Sequence, residues 1–386
     1  MILRARTILP VSRPPIENGA VVVAGNRILA VGKWLDLKPG AGGKITDLGD
    51  VILLPGLVNA HCHLDYTDMA GQLPPPKKFT DWIAAITAVK LAWRRADYAR
   101  SWLRGARMLL KTGVTTVADI EAAPELLPDV WDATPLRVFS FLEMTGIRAR
   151  RNPREILREA VAKIDSLGHP RCRAFLSPHA PYSTLPELLK LAADISRESK
   201  WRISTHVAES DQEFEMFTKA RGAMHDWLRR NERDNSDCGR SSPVQHLARA
   251  GMLGENLLAI HVNYLARGDA RLLGENRVHV VHCPRSHAYF RHAEFPRKRL
   301  AAAGVNICLG TDSLATVLKT DGQKPELDLF AEMSALAAKD KTISPGQILR
   351  MATVSGAKAL GMAGRIGELS KNAFADLIAI PFEGKI

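Results

Sequence analysis

The chain has 386 residues, 46% of them apolar and 24% charged, so it can bury a large core and has the balance of a globular protein. It holds no run of 18 apolar residues, so no membrane-spanning helix is expected and no membrane partner. A net charge of +12 could attract nucleic acid, but the 53 Lys and Arg are dispersed, their local clusters at 148–154 and 297–299 lack interleaved aromatics, and no nucleic-acid partner is expected.

The five cysteines (Cys62, Cys172, Cys238, Cys283, Cys308) are scattered without C-x-x-C pairs. That pattern fits reduced thiols and offers neither a disulfide framework nor a zinc finger. The first residues, MILRARTILPVSRPP, lack a long apolar core and a small-residue cleavage site. A cytoplasmic protein is therefore expected.

Residues 1 to about 50 read as short strands, with 20–24 and 27–31 flanking the hairpin turn Gly25-Asn26. A Gly-rich loop at 38–44 follows, and 45–54 leads into the run LLPGLVNAHCHLD at 53–65. Along a strand, His61 and His63 share one face, about 7 Å apart, while Cys62 faces the other way. Two such imidazoles can bind one metal ion, though an isolated H-x-H is also an ordinary polar strand end.

From Phe79 the period becomes helical through Trp82, Ile83, Ile86, Val89 and Trp93, and again over 102–110 up to Gly113. Strand-like runs then recur at 114–118, 137–142, 172–176, 202–207, 257–262, 278–282 and 306–309. Helical stretches at 153–167, 185–199, 212–230 and 297–303 lie between them. With 53–65 this makes eight strands separated by helices. Such an α/β alternation predicts a (β/α)8 TIM-type barrel, with chemistry at the C-terminal strand ends. The tail returns to strand-like sequence at 375–381 and is expected to rejoin the N-terminal strands. The expected division is a small β domain from 1–52 and 361–386, and a barrel over 53–360.

Polar residues gather at the expected strand ends. The first strand ends in His61 and His63, the third in Glu143, the fourth in His179. The fifth ends in His206 followed by Glu209, the sixth in His261, the seventh in His282 and the eighth in Asp312. Each alone has a bland reading: a histidine can be a capped core residue, and Asp312 a helix N-cap. Their convergence on one face is hard to attribute to packing. Three imidazoles and a carboxylate with an open position make a hydrolytic divalent-metal site. Residues 171–183 hold no Lys that could be carbamylated into a bridging ligand, so one metal is expected. Zinc is the default for such a donor set, with iron or manganese as alternatives.

The pieces PGLVNAHCH (55–63), SPHAPYS (177–183), THVAES (205–210), HVNYL (261–265), VHCPRSH (281–287), LGTDS (309–313) and ADLIAI (375–380) together resemble the amidohydrolase superfamily, in its deaminase and triazine-hydrolase branch. The resemblance spans essentially the whole chain. It implies His61, His63, His206 and Asp312 as metal ligands and Glu209 as the proton shuttle to a ring nitrogen. His261 would orient or deprotonate the attacking water, with Asp312 or His261 relaying a proton so that ammonia leaves. His179 and His282 would line the substrate pocket, although His282 equally suits a hydrogen bond within the barrel mouth.

The segment 63–86 and the strand ends at 281–290 and 310–315 look most like aminodeoxyfutalosine deaminases of menaquinone biosynthesis. That implies a small-molecule substrate with an adenine-type base on a modified ribose. Asp81 lies where related nucleoside deaminases place an acid against ribose hydroxyls, or is simply a helix N-terminal residue before Trp82. Glu143 sits near where relatives acting on adenosylhomocysteine carry arginine. The alternatives are a triazine chlorohydrolase, a guanine-, cytosine- or methylthioadenosine-type deaminase on the same scaffold, and, remotely, a non-catalytic barrel. A homodimer is compatible with the superfamily.

Overall fold

The structure, a computed structural model, describes residues 1–37, 43–146, 151–319 and 324–383. The expected Gly-rich loop and the basic cluster at 148–154 lie partly outside these residues.

The first strands, β1 (Ile2–Ile8), β2 (Ile16–Ala24), β3 (Arg27–Lys33), β4 (Ile45–Asp47) and β5 (Val51–Pro55), build a small sheet. The hairpin between β2 and β3 turns at Gly25, whose φ of +56° suits glycine. The barrel strands follow: β6 (Leu57–Cys62), β7 (Val114–Glu121), β8 (Arg137–Met144), β9 (Arg173–Pro178), β10 (Ile203–Val207), β11 (Leu257–His261), β12 (His279–His282) and β13 (Asn306–Leu309). They pair in parallel in sequence order. The ring closes where the Thr311 and Asp312 amides donate to the His61 carbonyl at 3.0 and 3.1 Å. The last strand, β14 (Leu377–Pro381), returns antiparallel to β5 and completes the small sheet in the order β14-β5-β1-β2-β3, with β4 against β1. The fold is thus a TIM-type barrel with a small β domain built from both ends of the chain.

Period-two alternation explains the barrel interior. Val58, Ala60, Ala118, Ile120, Phe139, Phe141, Phe175, Leu258, Ile260, Val281 and Cys308 form one buried cluster. Their strand neighbours Val117, Val138, Leu176, Leu257, Ala259, Val280 and Leu309 pack in the layer between strands and helices. Phe374, just before β14, fastens the small sheet to the barrel. Arg27 of β3 lies 3.6 Å and Arg137 of β8 3.9 Å from its ring centroid, and Arg137 also pairs with Asp376 at 3.4 Å.

Two expectations change in detail. The stretch 53–65 is two strands, divided at Gly56. A Cβ there would come within 2.1 Å of the Thr115 hydroxyl, so only glycine lets β5 end and β6 begin so close to β7. The helical stretch at 212–230 is also two helices, Asp211–Lys219 and Ala223–Arg230, broken where Ala220 and Gly222 take φ of +48° and +99°.

Candidate metal centre and active site

Each polar residue at the barrel mouth arrives by a local departure from regular strand. The β6–β7 register shifts between Asn59 and Cys62, so after Val58 and Ala60 the strand resets and directs His61 and His63 to the mouth. Cys62 lies in the outer layer, away from them. His206 follows plain alternation, between the outward Ile203 and Val207 of β10. His261 does not: parity with Ile260 facing inward would turn it out, but φ of +73° at His261 and +52° at Val262 rotates its ring back. Asp312 likewise stands on left-handed backbone, φ +54°.

These side chains converge. His63 Nε2 and His206 Nε2 approach to 3.4 Å, and one ring nitrogen from each of His61, His63 and His206 lies within 4.8 Å of the others. Asp312 Oδ1 is 3.6 Å from His61 Nε2 and 3.7 Å from His63 Nε2. Both nitrogens of the fully buried His61 lack a hydrogen-bond partner, as does His261 Nε2. Burial of so many polar atoms without partners is costly. A cation among them removes the cost, so the donor set fits a divalent metal. The electrostatics agree. Burial and then the neighbouring His61 depress His63 to about 3, and burial, His179 and His61 hold His206 well below its usual value. Both are thereby kept as the neutral imidazoles that metals require. Burial would raise the Asp312 carboxyl, but the adjoining His61 ring chiefly holds it well below the carboxylate range. The His206 Nδ1 bonds the His179 carbonyl at 2.9 Å, an outer contact that orients a ligand ring.

Glu209 lies beside this cluster, its Oε1 3.5 Å from His261 Nε2. Its backbone is clamped. The Glu209 amide donates to Glu213 Oε2 at 2.9 Å, and Asn263 Nδ2 donates to the Glu209 carbonyl at 2.9 Å. Burial, then the Asp312 and Glu213 carboxylates, push Glu209 well above the usual carboxyl range, which favours its protonated form. His63, His206, Glu209, His261 and Asp312 open onto one cavity of about 180 Å³, lined also by Glu143, His179, Tyr66 and Tyr182. His179 Nδ1 bonds Ser183 Oγ at 2.6 Å. Glu143 faces Lys90 Nζ at 3.8 Å. Burial would raise its carboxyl, but Lys90 and then His179 and His63 hold it below its usual value.

Two expected pocket residues are elsewhere. His282 is on the opposite face of β12. Since Val281 points into the barrel, alternation sends His282 to the helix layer, where it stacks on Phe295 at 3.8 Å and lines a separate cavity. Asp81 is exposed in the first turn of the helix Phe79–Ala92. The face that this helix turns to the cavity carries Trp82, Ile83, Ile86, Thr87 and Lys90. Those residues, with Trp227 from Ala223–Arg230, were not anticipated as a wall of the site. The helical spacing 82, 83, 86, 90 was the available signal, but it reads equally well as core. Ser286 was also missed inside VHCPRSH: its hydroxyl donates to Asp312 Oδ2 at 2.6 Å.

Comparison with known proteins adds to this geometry. The profile of the Amidohydrolase family matches residues 52–385. The 5-methylthioadenosine/S-adenosylhomocysteine deaminase of Syntrophobacter fumaroxidans is 32% identical over 385 residues, which cover 95% of this chain and 80% of that protein. Among solved structures, Helicobacter pylori aminofutalosine deaminase in complex with methylthio-coformycin superposes with a TM-score of 0.87 at 21% identity, over 100% of this chain and 93% of the other. An adenosine deaminase from Xanthomonas campestris with bound zinc gives 0.83 at 24%, over 98% and 84%. At these identities the two structures speak to the fold.

Proposed function

We propose that this chain, which belongs to the amidohydrolase family and is a hydrolase acting on C–N bonds, deaminates the adenine-type base of a nucleoside with a modified ribose. The observation that carries the reading is Glu209, a buried carboxyl held toward its acid form on the wall of the cavity that also receives His63, His206, His261 and Asp312. A heterocyclic amine needs a proton donor at its ring nitrogen as the exocyclic nitrogen becomes a leaving group, and Glu209 is poised to give one.

His61, His63, His206 and Asp312 would hold one divalent ion, with zinc favoured by the three imidazoles and iron or manganese as alternatives. When bound, that ion supplies the Lewis acidity that makes water nucleophilic near neutral pH. The chain's own groups do the rest. Neutral His261, depressed to about 3 by burial, accepts a hydrogen bond or proton from the attacking water at Nε2. Glu209 Oε1, 3.5 Å away, delivers a proton to the ring nitrogen and shares the relay by which ammonia departs. Trp82, Ile83, Ile86 and Trp227 exclude water and offer an apolar wall to the part of the substrate beyond the base. Glu143 and His179 line the same cavity as candidate polar contacts.

Aminodeoxyfutalosine is the specific substrate we put forward. The likeness of 63–86 to its deaminases supports it, as does the aromatic wall, which suits a large 5′ group. The relative at 32% identity makes methylthioadenosine the natural comparison. Glu209→Gln tests the mechanism. The variant should retain its metal and lose about 10²–10⁴-fold in ammonia release. Turnover near the wild-type rate would remove Glu209 from the proton path.

A further inference from the structure

The segment Cys283–Tyr289 is built so that one hydroxyl reaches the centre, and we propose that Ser286 is a positioning residue that fixes which oxygen of Asp312 faces the metal. Ser286 lies on the short helix Pro284–Tyr289 and is 1% exposed. Arg285 and Tyr289 on the same helix are engaged elsewhere. The Arg285 amide and Nε bond the buried Glu332 carboxylate at 2.8 and 2.5 Å, and its two Nη groups donate to the Glu326 carbonyl. The Tyr289 hydroxyl donates to the Leu73 and Pro74 carbonyls at 3.2 and 3.0 Å. The helix is thereby pinned at both ends, and Ser286 Oγ is left with one partner, Asp312 Oδ2, at 2.6 Å.

Thr316 Oγ1 donates to the same oxygen at 3.2 Å while also serving the Ser313 carbonyl. The other oxygen, Oδ1, receives the Ser313 amide at 2.7 Å and faces His61 and His63. The carboxylate is divided: Oδ2 takes the Ser286 hydroxyl, with the single Thr316 hydrogen shared between it and the Ser313 carbonyl, and Oδ1 is presented to the imidazole cluster. With Oδ2 so engaged, Asp312 would present Oδ1 to the ion. The role of VHCPRSH at the site is therefore Ser286, not His282.

The inference rests on Asp312 being a ligand, so two variants run side by side. In Ser286→Ala, affinity for zinc, measured by chelator competition on the full-length protein, should fall about 10–100-fold, the range for loss of an outer contact to a ligand. The melting temperature of the metal-free protein should stay within a few degrees of wild type. Thr316→Ala, which leaves the Pro284–Tyr289 helix untouched, should weaken zinc in the same direction by a smaller factor. Zinc affinity within twofold of wild type in Ser286→Ala, beside an Asp312→Ala protein that has lost its zinc, overturns the positioning role alone. Unchanged zinc affinity in Asp312→Ala overturns the ligand assignment and the inference with it.

Discussion

Four residues around the barrel mouth, Ala208, His261, Val262 and Asp312, hold left-handed backbone without being glycine. Each such conformation costs on the order of 1–3 kcal/mol and persists only where surrounding structure enforces it. Here it aims side chains that regular alternation would misdirect, His261 above all, and it clamps the turn before Glu209. The same logic makes the imidazole cluster expensive without a cation. His206→Ala should therefore lose stoichiometric metal while keeping the fold. Metal analysis of the purified variant against wild type checks this, and full occupancy in the variant would strike His206 from the ligand set. These backbone departures are also why the site was only partly legible in the sequence. Residue types at strand ends were readable because imidazole and carboxylate chemistry does not depend on φ. Which of them turn inward was not: His261 faces the site only because positive φ overrides parity, whereas His282 keeps to parity and faces outward, and Asp81 misses the cavity face by one residue of helical phase.

At the scale of elements, the eight barrel strands were readable because β-branched runs alternate with 3.6-residue periodicity. The boundaries were not, since they depend on contacts distant in sequence. The division between β5 and β6 is set by Thr115, which occupies the space a side chain at residue 56 would need. Gly56→Ala should therefore destabilise the fold by about 1–3 kcal/mol through overpacking, seen as a lower denaturant midpoint with an unchanged slope. A variant as stable as wild type would mean that β6 and β7 can separate without cost. Strand β1 was folded into a general expectation of short strands because ILRARTI mixes polar and apolar residues. Its pairing with β2, β4 and β5 arises from strands that follow it in the chain.

On the scale of the molecule, histidines away from the site carry a pH liability. Burial depresses His246 and His279 to about 4 each. In the unfolded chain these groups titrate near 6.5, so between about 4 and 6.5 the unfolded state binds more protons and stability rises with pH. Their contribution is complete above about 6.5 and is lost as pH falls toward 4. The thermal midpoint should drop over that window, and less steeply in His246→Gln; a midpoint flat from pH 7 to 4.5 would show that neither ring is held neutral. Under the proposed deamination, the parallel barrel closed at His61 and Asp312 and walled by Trp82 and Trp227 brings one amino-heterocycle to Glu209. The direct test is ammonia release by the metal-loaded wild-type protein from aminodeoxyfutalosine, methylthioadenosine, adenosine, guanine, cytosine and an aminotriazine. The proposed deamination predicts stoichiometric ammonia from the adenine nucleosides, fastest with the large 5′ group. Turnover confined to the triazine, or no ammonia from any adenine nucleoside, would contradict it.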